Sequence, residues 1–81
     1  MSVSPTVFRS GAYRFFFFSR EESRIHVHVT CPEGEAKFWL EPIVALATSH
    51  GLSKKQLSTI QKKIEENHDE IVRSWKAHFG S

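Results

Sequence analysis

Cysteine is all but absent from this 81-residue chain. Cys31 is the only one, so no internal disulfide can form, and without neighbours at metal-ligand spacing it reads as a loop thiol in a reducing cytoplasm. Long apolar runs are missing as well. The longest strictly apolar run, Phe15 to Phe18, is far short of a bilayer span, and no basic apolar leader with a small-residue cleavage site is found. Neither secretion nor membrane insertion is expected. A surplus of one charge is also lacking, since the formal net charge is +2, too weak to imply nucleic-acid binding by its sum. A nucleotide-binding glycine loop, a thiol pair and a zinc signature are all absent, so no cofactor is expected.

What the chain does have is the composition of a folded protein. A hydrophobic fraction of 40% and an aromatic fraction of 12% suffice for one core, and the length is too short for two, so residues 1–81 read as a single domain. The pattern predicts an α+β fold: three or four antiparallel strands in a β-meander, packed against one long C-terminal helix. Pro5 favours an extended start. Val7 to Arg9, a Ser10-Gly11 turn and Tyr13 to Phe18 read as a hairpin. Four consecutive phenylalanines place rings on both faces of the second strand, which is therefore expected to be central. Whether Phe16 and Phe18 join the polar face or the helix side is left open by the pattern.

After a polar turn over Ser19 to Ser23, residues 24–30 alternate, with Ile25, Val27 and Val29 on one face and His26, His28 and Thr30 on the other. Beyond the turn Cys31-Pro32-Glu33-Gly34, Ala36, Phe38 and Leu40 alternate with Glu35, Lys37 and Trp39. Setting Val27 opposite Phe38 places His28 opposite Lys37 and His26 opposite Trp39. A slip of one residue would move Phe38 and Leu40 to the histidine face, so burial of the apolar face specifies the register.

Residues 41–50 fit a helix or an extended segment about equally: Pro42 suits a first helical turn, and Ile43, Val44, Leu46 and Ala47 have roughly helical spacing. The next boundary is sharp. Ser53 is the expected N-cap, Gln56 its capping-box partner, and Leu52 with Leu57 the hydrophobic staple. Apolar residues then fall at Leu57, Ile60, Ile64, Ile71, Trp75 and Phe79, a stripe interrupted only around Asn67 and His68, and Gly80 is the natural stop. This predicts one helix from Lys54 to Phe79, about 26 residues or on the order of 39 Å.

The chemistry lies on the polar face. His26 and His28 project side by side on a strand and imidazole is the side chain suited to proton transfer near neutral pH, while Lys37 could stabilise charge developing on a phosphate, so His26, His28 and Lys37 form a candidate acid–base set. The same three residues also suit the polar side of a half-exposed sheet. Glu35 is the one obvious further ligand on that face, too few for a metal site, and none is expected. Trp39, Phe16 and Phe18 beside Arg14 and Lys37 could stack unpaired bases. Lys54 and Lys55 sit in the first turn of the helix, where the dipole prefers acids, and an anionic partner would relieve that conflict. The candidate binding set is thus Arg14, Glu35, Trp39, Lys54 and Lys55.

The order Pro5-Thr6-Val7, Gly11, Tyr13-Arg14-Phe15-Phe16, Ser19-Arg20-Glu21-Glu22, His26-Val27-His28-Val29, Glu35-Ala36-Lys37-Phe38-Trp39-Leu40, Pro42, Gly51-Leu52-Ser53, Trp75 and Phe79 resembles a small bacterial domain family of unknown function, number 4160. Ile25 departs from the proline frequent in relatives and keeps the apolar face intact. The family includes DhiT-type host-inhibition toxins paired with DhiA-type antitoxins. The resemblance therefore implies the growth-inhibiting toxin of a bacterial type II toxin–antitoxin pair, cytoplasmic, with a cognate antitoxin encoded next door. It supplies no catalytic residues. Acting on RNA or on a component of translation is the expected mode, the alternative being a non-enzymatic protein- or RNA-binding module. An apolar surface left by so small a domain would be covered by the antitoxin or by a second copy.

Overall fold

The computed structural model describes residues 6–18 and 23–80. The extended start at Ser2 to Pro5 and most of the Ser19 to Ser23 turn lie outside the described residues. Five strands form one antiparallel sheet in the order of the chain: β1 (Thr6–Ser10), β2 (Tyr13–Phe16), β3 (His26–Cys31), β4 (Gly34–Trp39) and β5 (Ala45–His50). Two helices follow, α1 (Lys54–Glu66) and α2 (His68–Phe79). The α+β meander is as expected, but five strands replace the expected three or four, and two helices replace the single long one.

The fifth strand comes from the ambiguous segment. Residues 45–50 are extended because β4 offers them a ladder, with Lys37 opposite Thr48 and Glu35 opposite His50. Tertiary pairing overrides the roughly helical spacing of the apolar residues. The end of this strand is held by two glycines. A Cβ at Gly34 would collide with the His50 carbonyl, and one at Gly51, which sits at φ 77°, would collide with the Glu33 carbonyl. The β3–β4 turn can therefore close against the last residue of β5.

The helix divides where its apolar stripe has a gap. Asn67, at φ −114° and ψ 19°, leaves helical geometry, while its Nδ2 donates to the Lys63 carbonyl at 2.8 Å and its backbone N–H reaches Lys63 and Ile64. The next turn is tied to the sheet, since His68 Nε2 lies 3.0 Å from the Leu40 carbonyl. The capping box at Ser53 and Gln56 starts α1 as read from the sequence, and Gly80, in the left-handed region, ends α2.

The β3–β4 register is the expected one: Val27 faces Phe38, His28 faces Lys37 and His26 faces Trp39. Phe15 pairs with Val29, and Phe16 pairs with His28, which resolves the parity of β2. Phe15, Phe17, Val27, Val29, Ala36, Phe38 and Leu40 thus form the sheet side of a core closed by Ile60, Ile64, Ile71 and Trp75 from the helices. β2 is interior, between β1 and β3, consistent with rings on both of its faces. No helix among the described residues is long and apolar enough to cross a membrane.

Trp75 is 4% exposed and packs against Phe17, His26 and Phe79 at ring distances of 5.3, 5.0 and 4.3 Å. Trp75→Ala is expected to lower unfolding stability by about 3–5 kcal/mol in denaturant titrations. Gly34→Ala should destabilise by more than ~1 kcal/mol, because the clash is with backbone rather than with a yielding side chain.

The His68 pKa is raised above its ordinary 6.5, first by the Leu40 carbonyl and then by Asp69, whose carboxylate lies 3.3 Å from Nδ1. A raised pKa means the folded state binds the proton more tightly. The stability it contributes is fully present below the unfolded-state pKa near 6.5 and is lost as pH rises through the folded value. Thermal unfolding followed across this window should show that slope in the wild type, and His68→Ala should flatten it.

Candidate functional site

The face of the sheet opposite the helices is assembled by strand alternation and the pairing register. β2 contributes Arg14 and Phe16, β3 contributes His28 and Thr30, β4 contributes Glu35, Lys37 and Trp39, and β5 contributes Thr48 and His50. Cross-strand neighbours run Phe16, His28, Lys37 and Thr48 in one row, and Arg14, Thr30, Glu35 and His50 in the next. A shallow depression of about 90 Å³ lies between them, lined by Phe16, Phe18, His28, Lys37, Glu35 and His50 among others.

Cations and rings interleave on this face. The Arg14 guanidinium lies 4.6 Å from the Phe16 ring centre, and its Nε donates to Thr6 Oγ1 at 2.7 Å. Arg24 and Lys37 both lie over Trp39, at 4.1 and 4.5 Å from the ring centre. Arg24 is held there by the Glu41 carbonyl at 3.4 Å. Such contacts keep positive charge at the surface while covering aromatic area, each worth roughly 0.5–1 kcal/mol when exposed.

The two histidines of the triplet have different surroundings. His28 is half-buried and packs on Phe16 and Phe18, with ring centres at 5.5 and 4.4 Å. His26 is 0% exposed: its ring lies 5.0 Å from Trp75 and 5.6 Å from Trp39, and its Nδ1 is 2.7 Å from the Arg24 carbonyl. His26 is therefore covered rather than open, although its ring still stands beside His28, with centres 5.0 Å apart. Alternation assigns it to the open face, but the rings of Trp75 from α2, Trp39 and His28 pack around it. Truncation of His28 also removes ring packing, so it is less clean a probe of chemistry than its surface position on paper suggests.

Lys54 and Lys55, at the start of α1, do not join this face. Both are exposed, and Lys54 lines a separate groove on the helix side of the sheet. Glu35 is exposed opposite His50, and among the described residues no group of three or more His, Cys, Asp and Glu is placed to hold a metal ion. Cys31 is half-buried and its thiol donates to Glu33 Oε1 at 3.3 Å. His50, Thr48 and Arg24 belong to the site and were missed from the sequence. The first two follow once residues 45–50 are read as a strand paired with β4, because Glu35 then has to face His50.

A family model described as Domain of unknown function (DUF4160) matches residues 12–76. The chain belongs to that family. The DUF4160 match spans β2 through most of α2, so it contains the open face and most of the core beneath it. No curated protein and no solved structure matches this DUF4160 chain.

His26→Ala is expected to behave as a core substitution, lowering unfolding stability by about 2–5 kcal/mol. Denaturant titration beside Lys37→Ala checks this. A His26→Ala protein as stable as the wild type would put His26 back at the surface.

Proposed function

We propose that this chain is the toxin of a bacterial type II toxin–antitoxin pair, of the DhiT type, acting in the cytoplasm on RNA through its open sheet face. The toxin part rests on the motif resemblance set out above. The RNA part rests on one observation, the interleaving of Arg14, Arg24 and Lys37 with Phe16, Phe18 and Trp39 on a single face. Unpaired bases stack on flat rings and guanidinium planes while the phosphates between them need cations, and this face offers both at strand spacing.

His28 and His50 border the same depression as Lys37. An imidazole pair with an adjacent ammonium can take a proton from a ribose hydroxyl, return one to the leaving oxygen and stabilise the charge on phosphate between. In this reading His50, not His26, is the second histidine. A cognate antitoxin would silence the protein by covering this face.

A second reading is that the face occupies its target without turnover. It is favoured by the size of the depression, about 90 Å³, against the several hundred Å³ of a pocket that encloses a ligand.

Induced expression with and without the neighbouring gene product, scored by growth, tests the toxin reading. Growth should stop without the neighbour and resume with it. Lys37→Ala and His50→Ala should each relieve inhibition while the protein stays folded, losing no more than about 1 kcal/mol of unfolding stability, and with weakened binding to a labelled single-stranded RNA. If the histidines act in catalysis, His50→Ala should also cut RNA cleavage by ~10²–10⁴-fold. Unimpaired growth on wild-type induction, or full inhibition by Lys37→Ala at equal expression, would overturn the proposal.

A further inference from the structure

The helix side of the sheet carries a second concavity, where the outer strand β5 runs beside α1. It measures about 390 Å³. Phe38, Leu46 and Leu57 form an apolar floor, and α1 supplies a polar wall with Lys54 at one end and Glu65 at the other. Phe18, Ile43 and Leu46 are the exposed large apolar side chains among the described residues, and Leu46, at 42% exposure, lines this groove. We propose that a second copy of the chain docks here, β5 beside β5 and α1 antiparallel to α1 across a two-fold axis.

Charge is what selects a second copy as the occupant. Ala45–His50 contains no Lys, Arg, Asp or Glu, so the strand can lie against itself without setting like charges opposite one another. The other outer strand, β1, carries Arg9. A two-fold axis makes an interface self-complementary, so a face with opposite charges at its two ends matches its own reversed copy. With the axis passing near Ser58 and Gln61, Lys54 meets Glu65 of the second copy at both ends, while Lys62 falls opposite the neutral Leu57 and Ser58.

The helix dipole points the same way. The first turn of α1 has no acidic residue and two lysines, Lys54 and Lys55, against the preference of a helix N-terminus. An antiparallel α1 brings the carbonyl end of its neighbour, with Glu65, alongside those lysines. A bulge at Ala47, where the β4–β5 register shifts, interrupts any continuous ladder between the two β5 strands. Burial of Leu46 and Leu57 therefore carries the contact, and the charged ends set its direction.

Sedimentation of the full chain across the micromolar range tests this. The wild type should dimerise. Leu46→Lys should be monomeric, with an unchanged circular dichroism spectrum because the side chain is already part-exposed in one copy. Lys54→Glu and Glu65→Lys should each weaken dimerisation by about tenfold, and the double exchange should restore it. Both exchanges suit the helix dipole, so neither loss can be put down to a weaker fold. Within one copy the two positions are eleven residues apart on α1 and do not touch, so recovery reports a contact between copies. A wild type that stays monomeric, a dimer that survives Leu46→Lys, or a double exchange that does not recover would each overturn the proposal, whatever the outcome of the growth assays.

Discussion

Val27 facing Phe38 is the contact on which the remaining geometry depends. Both side chains are fully buried, and in a two-residue repeat a shift of one position would carry them, with Val29, Ala36 and Leu40, out of the core. Because that exchange is so unfavourable, the polar residues on the reverse face inherit their positions. His28 stands beside Lys37, and Glu35 beside Thr30, for no reason of their own. The neighbours extend this order outward, with Phe15 against Val29 on one side and Lys37 against Thr48 on the other.

Aromatic rings then divide the molecule into two environments. Phe15 and Phe17 go to the helix side, where Phe17, Trp75 and Phe79 form one packed group, and His26 is drawn into its border. Phe16, Phe18 and Trp39 stay on the reverse face with arginine and lysine over two of them. This arrangement leaves the cations near water. Their value lies in recognition more than in stability, since exposed contacts of this kind contribute little to folding.

The charges of the helices follow no such simple division. α2 begins with Asp69 and Glu70 and ends with Lys76 and His78, as its dipole prefers, whereas α1 begins with lysines and ends with glutamates. The break at Asn67 lets these two segments be judged separately. As one helix, the lysine and glutamate blocks would lie in its first half and middle, with no terminus of their own to conflict with at Glu65.

Much of this was legible in the residues alone, and the reason is periodicity. Alternation over residues 24–40 named two strands, their register and the partners of His28 and Lys37, and the stripe from Leu57 to Phe79 with the Ser53 cap named the helical half. Those signals are local, so one sequence carries them. The fifth strand was not legible, because residues 45–50 are extended only on account of the waiting edge of β4, and with it went His50 and Thr48. The burial of His26 was hidden for a related reason: alternation says which side of a strand a residue leaves from, not what a distant Trp75 later lays over it. The division of the helix lay between the two cases, marked as a gap in the stripe but settled only when Asn67 turned its amide to the Lys63 carbonyl and His68 reached the Leu40 carbonyl.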